Sequence, residues 1–103
     1  MTLAAALALT MVMNGCASQK PEEVSEISIA ENKYSPALAL THLGSSIEWR
    51  NNDSVDHTVT FDSSPSPNQL MKPGGKVGYT PGLNGRFAYH CAIHGFKGTI
   101  VVE

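Results

Sequence analysis

Between Ile27 and Val102 apolar and polar residues alternate in short bursts, and no other feature limits so strongly what this chain can fold into. The bursts are Ile27-Ser28-Ile29, Ala37-Leu38-Ala39-Leu40, Ile47-Glu48-Trp49-Arg50, His57-Thr58-Val59-Thr60-Phe61, Lys76-Val77-Gly78-Tyr79, Arg86-Phe87-Ala88-Tyr89 and Thr99-Ile100-Val101-Val102. A period of two sends successive side chains to opposite faces of a pleated strand, and the β-branched and aromatic content suits strands buried on one face. Turn-forming residues separate the bursts: Tyr34-Ser35-Pro36, Leu43-Gly44-Ser45, Asn51-Asn52-Asp53, Pro73-Gly74-Gly75, Pro81-Gly82 and Asn84-Gly85. The longest loop candidate is Ser63-Ser64-Pro65-Ser66-Pro67-Asn68. No helical stripe and no internal repeat interrupts the pattern. Seven short strands at this spacing predict an all-β domain, a Greek-key β-sandwich, with Trp49 and Phe87 in its core. A domain of this size buries a modest core, for which a disulfide or a metal is a common staple.

The N-terminus reads differently. Residues 1–19 carry no charge, and Leu3 to Val12 is an apolar run of signal-peptide length, too short to span a bilayer. Gly15-Cys16 follows, and the whole resembles a bacterial lipoprotein signal, in which the cysteine becomes the lipidated N-terminus after cleavage. Met13 and Asn14 are unusual for that pattern, and no basic residue precedes the apolar run. We divide the chain into a signal peptide (1–15), a lipidated tether (16–26) and a folded domain (27–103). Export to the periplasm makes Cys91 an unpaired thiol in an oxidising compartment, which calls for an explanation such as metal binding; a Cys16–Cys91 disulfide is the alternative.

Charge excludes some functions. The chain has 7 Lys and Arg against 9 Asp and Glu, for a net charge of −2. From Ile27 onward the acidic residues Glu31, Glu48, Asp53, Asp56, Asp62 and Glu103 are matched by Lys33, Arg50, Lys72, Lys76, Arg86 and Lys97. Without a basic stripe a nucleic-acid partner is not expected, and a neutral domain steers a partner only weakly.

The chemistry concentrates near the C-terminus. Cys91-Ala92-Ile93-His94 sets a thiol and an imidazole in one turn just past the strand ending at Tyr89-His90, and His57 opens another strand 34 residues upstream. Two imidazoles and one thiolate in a trigonal plane, with a weak axial donor, are the ligands of a blue copper site, and they suit both oxidation states. The same three groups also suit zinc, although the affinity order favours copper. His90 points to the face opposite Cys91, His42 is read as exposed, and Met71 as packing or a candidate axial donor.

Over nearly all of Ile27–Glu103 the chain resembles the small plastocyanin- and amicyanin-like cupredoxins. The resemblance is carried by Tyr34-Ser35-Pro36, by Gly44 before Ile47-Glu48-Trp49-Arg50-Asn51, and by Asn52-Asp53 leading to Asp56-His57-Thr58-Val59-Thr60. Lys72-Pro73-Gly74-Gly75, Gly85 to His94, and Lys97 to Glu103 complete it. It implies one copper ion held by His57, Cys91 and His94. It also implies an electron-exit patch of Ala92, Ile93 and Phe96 around His94, and transient redox partner proteins met by a monomer. Thr58, beside His57, is expected to brace the ligand loops by hydrogen bonding.

One departure stands out. In amicyanin-like loops a methionine stands three residues after the histidine, and here that position is Lys97, with Gly98 at once behind it. A protonated lysine has no lone pair to give. The alternatives are a three-coordinate copper, recruitment of Met71, water or a backbone carbonyl near Asp56, or a degenerate site. The leading expectation is a one-electron carrier rather than an enzyme. A copper-delivery protein of the envelope is the alternative, as is a small copper enzyme or sensor with an open axial position. The last would want a carboxylate ligand, for which Asp56 and Asp62 are the nearest in sequence.

Overall fold

The computed structural model describes residues 20–63 and 68–103. Ten strands occupy them: β1 (Glu22–Glu23), β2 (Glu26–Ala30), β3 (Lys33–Ser35), β4 (Leu38–Thr41), β5 (Ile47–Asn51), β6 (His57–Phe61), β7 (Asn68–Met71), β8 (Lys76–Tyr79), β9 (Gly85–His90) and β10 (Lys97–Val102). They form a six-stranded sheet in the order β1-β4-β10-β9-β6-β7 and a four-stranded sheet in the order β3-β2-β5-β8. No helix occurs among the described residues. The architecture is the all-β sandwich that the alternation predicts.

The period-two pattern explains the packing. In β2 and β5 every second residue is buried, so Ile27, Ile29, Ile47, Trp49 and Asn51 leave the smaller sheet on one face. They meet Ala39, Val59, Phe61, Tyr89, Ile100 and Val102 of the larger sheet. The centre is aromatic: Tyr34 stacks edge-on to Tyr89 with ring centroids 4.5 Å apart, and Tyr89 to Trp49 at 5.3 Å. Gly98 makes room for this stack, since a Cβ there would stand 2.5 Å from the Tyr89 phenol. Close packing of this kind tolerates no added methyl.

All seven expected strands are present, and three more join them. Added β1, β3 and β7 are all edge strands. Tyr34 of β3 and Met71 of β7 enter the core, but each of these strands carries only that one buried side chain and β1 carries none, too few to show a period. Glu22 and Glu23, within the expected tether, pair in parallel with Ala39 and Leu40, and Glu26 opens β2. The structure corrects Phe87, which is only half-buried and packs against the rim of the core. Asn68, read as loop, opens β7. The expected signal peptide, Cys16 and residues 64–67 of the expected loop lie outside the described residues.

Candidate metal centre

Three elements converge at one end of the larger sheet. His57 is the first residue of β6, Cys91 follows the last residue of β9, and His94 lies in the turn before β10. Antiparallel pairing of β6 with β9, Thr60 opposite His90, brings the start of one beside the end of the other. The connection from Cys91 to Phe96 is closed by its own backbone: the Cys91 N–H donates to the Phe96 carbonyl at 2.9 Å, and the Gly95 N–H to the Cys91 carbonyl at 2.7 Å. Gly95 turns the chain with φ +85°, a value that disfavours any side chain. Ile93 and His94 are thereby displayed at the tip.

The three ligand atoms form a compact triangle. His57 Nδ1 and His94 Nδ1 are 3.1 Å apart, and Cys91 Sγ stands 3.7 Å from the first and 3.9 Å from the second. An ion bonded to nitrogen at about 2.0 Å and to sulfur at about 2.3 Å in a trigonal plane would separate its ligands by about 3.5 and 3.7 Å. The donors therefore stand where a mononuclear ion needs them. Among the described residues this is the one group of His, Cys and carboxylate side chains with that geometry. His57 and Cys91 are fully buried, whereas His94 is exposed.

Hydrogen bonds prepare two of the three donors, Cys91 and His57. Burial pushes the Cys91 thiol up, but hydrogen bonds, led by the backbone N–H of Thr58 and joined by the backbone and side chain of His94, outweigh it and bring the pKa down to about 6. Cys91 is thus a thiolate at neutral pH, the form that binds metal. His57 Nε2 lies 2.6 Å from Asp53 Oδ2. A carboxylate only accepts, so His57 carries its proton on Nε2, and its Nδ1 lone pair is free to face the cluster. Backbone hydrogen bonding from Glu31, and then the His57 side chain, hold the Asp53 carboxyl below the usual carboxylate range.

The structure places the other expected residues as follows. Thr58 is buried, its Oγ1 accepts the Ala92 N–H at 2.7 Å, and its own N–H points at Cys91 Sγ at 3.4 Å. It links the two ligand-bearing segments. Ala92 and Ile93 are exposed beside His94. Phe96, next in line, is half-buried, with its ring 5.1 Å from that of His57 and 4.7 Å from that of Tyr34. Met71 lies in β7 rather than in a loop, buried and directly opposite His57 in the ladder. Opposite residues share a face of the sheet. Lys97 is exposed at the start of β10. Asp56 and Asp62 stay outside the cluster; the first pairs with Lys72 at 3.9 Å and the second with His90 at 2.6 Å. His42 is exposed and pairs with Glu23.

Two residues escaped the sequence reading. Asn51 is fully buried: its amide donates to the Val55 and Met71 carbonyls at 2.9 Å each, and its Oδ1 accepts the Asp53 N–H. It shapes the loop that carries Asp53 to His57. Both residues sit in an Asn-Asn-Asp run that reads as turn punctuation, and the only signal for Asp53 was a carboxylate four residues before a ligand histidine.

Two imidazoles and a thiolate at these distances, on a β-sandwich, define a mononuclear copper centre of the blue type. Sequence comparison agrees: residues 3–102 match the model of the cupredoxin-like domain, and the chain belongs to that family. It is 26% identical over 91 residues to amicyanin-alpha of Methylorubrum extorquens, covering 82% of this chain and 76% of the relative. A reduced amicyanin structure superposes with a TM-score of 0.71 at 26% identity, covering 76% of this chain and 80% of the other. A purple cupredoxin from Nitrosopumilus maritimus superposes with the same TM-score at 21% identity, over 78% of this chain and all of that one.

Proposed function

We propose that this protein is a periplasmic one-electron carrier that holds a single copper ion through His57, Cys91 and His94 and transforms no substrate. The observation that carries the reading is the cluster itself: three donors of the right kinds, all within 4.8 Å of one another. Bound copper supplies a Cu(II)/Cu(I) couple, and the residues supply the rest. Cys91 offers a soft thiolate and His57 a buried imidazole with its lone pair already aimed. Thr58 ties both segments together, so little needs to move when charge changes. His94 reaches solvent between Ala92 and the half-exposed Ile93, giving a partner protein a short apolar contact through which the electron leaves. With acidic and basic residues balanced over the domain, such encounters are brief and depend little on salt.

Lys97 is exposed and offers no lone pair, so the centre lacks a loop methionine. Met71, buried on the same face as His57, is its axial candidate. The N-terminal pattern supports export and lipidation at Cys16, which tethers a monomer to the membrane near transient redox partners. No basic stripe invites a nucleic acid.

The test is the visible absorption and electron paramagnetic resonance of the protein with one equivalent of Cu(II), beside Cys91→Ser. An intense thiolate-to-copper band with small hyperfine splitting, lost in the variant, supports the reading. A pale spectrum with large splitting that ignores the substitution would overturn it and point to copper delivery instead.

A further inference from the structure

We infer that Asp53 is a positioning residue of the copper centre, whose carboxylate holds His57 in its metal-binding tautomer and biases the centre toward the oxidised state. The inference rests on the copper reading above and adds to it a residue outside the ligand set.

The geometry is specific. Asp53 sits one turn of loop before His57, with its side chain only 20% exposed, and its two oxygens divide their work. Oδ2 accepts from His57 Nε2 at 2.6 Å, while Oδ1 accepts the Glu31 N–H at 2.9 Å. Asn51 Oδ1 fixes the Asp53 backbone at 2.9 Å. The carboxylate is thus clamped from the β2–β3 turn, where Glu31 and Asn32 both hold positive φ (54° and 58°), and from the buried Asn51. A carboxylate anchored by the Glu31 N–H, on a residue whose backbone is fixed by Asn51, can hold a ring in turn.

Two consequences follow from elementary chemistry. A neutral imidazole carries one proton, and an acceptor at Nε2 keeps it there, leaving Nδ1 unprotonated toward Cys91 and His94. A carboxylate in this position also raises the basicity of the imidazole it faces. A fixed negative charge one ring away from the ligand atom stabilises the more positive metal state. The exposed His94 has no carboxylate partner among its hydrogen bonds, so the bias enters through His57 alone.

Ring-nitrogen NMR of the metal-free protein, together with the midpoint potential of the copper form, tests the assignment. In the wild type His57 should appear as the Nε2–H tautomer, and in Asp53→Ala as a mixture. Asp53→Asn should shift the Cu(II)/Cu(I) equilibrium toward Cu(I) at least tenfold, which for one electron is ~59 mV upward. The carboxylate also caps a strained turn, so Glu31→Gly is added, because glycine adopts that φ freely. Asp53→Asn with Glu31→Gly should regain stability and keep the raised potential. A wild-type His57 protonated at Nδ1 would overturn the proposal. So would an Asn variant whose potential matches the wild type, or a potential restored by Glu31→Gly. If the wild type showed no copper band, the carrier reading would fall, and the tautomer measurement, which needs no metal, would still judge Asp53.

Discussion

The two histidines of the centre sit in unlike surroundings. His57 stands on a floor built from residues 51–58, where Asn51, Thr58 and His57 itself are buried and joined by hydrogen bonds to Asp53, Val55, Met71 and Ala92. His94 stands on a rim, residues 91–96, whose tip is exposed and whose internal bonds are two backbone contacts. The floor has the ordering of a core, since each buried polar group there would be costly if left unpaired. The rim is tied to the floor at its two ends, through Ala92 to Thr58 and through the Phe96 ring, while its tip at Ile93–Gly95 is ordered by the short span and Gly95. Precision and access are thus divided between the two ligands: one is fixed before any metal arrives, and the other stays where a partner can reach it.

Four measurements sharpen or break this division. The largest effect is expected from deleting each imidazole. His57→Gly should abolish the blue centre, and added imidazole should not restore it, because the hole is sealed. His94→Gly should lose the centre but recover most of its visible band with millimolar imidazole. Equal rescue of both would erase the distinction between floor and rim. Next, Asn51→Ala leaves two carbonyls and one N–H without partners inside the protein and should cost about 3 kcal/mol, read from urea unfolding of the metal-free chain. Gly95→Ala strains one left-handed residue on the rim and should cost about 1 kcal/mol. A rim penalty as large as the floor's would count against the comparison. The smallest stability change belongs to Ile93→Ala, within about 0.5 kcal/mol, although electron exchange with a partner should slow. Unchanged exchange would move the contact surface elsewhere.

Legibility in the sequence follows the same split. The seven strands with apolar faces were visible because burial imposes a period on the residues that undergo it. The edge strands β1, β3 and β7 were not, since each contributes at most one buried side chain and so shows no period. Of the site, the ligands themselves were readable, for thiolate and imidazole chemistry admits few residue types, and Cys91 and His94 share one turn. For Phe96 the sequence carries no sign of how far a half-buried aromatic beside an exposed ligand turns inward. Only contact with Tyr34 and His57 decides that.

What the sequence determined by itself was the class of fold and the kinds of atoms that meet a metal. Periodicity and donor chemistry are properties of residue order, legible wherever they occur. What only the tertiary structure decided was the support: that Asp53 faces His57, that Asn51 holds the loop between them, and that Met71 rather than Lys97 lies on the buried face beside the ligands. Hydrogen bonds and burial depend on distances between segments far apart in the chain. No local pattern encodes those distances until the two sheets have packed.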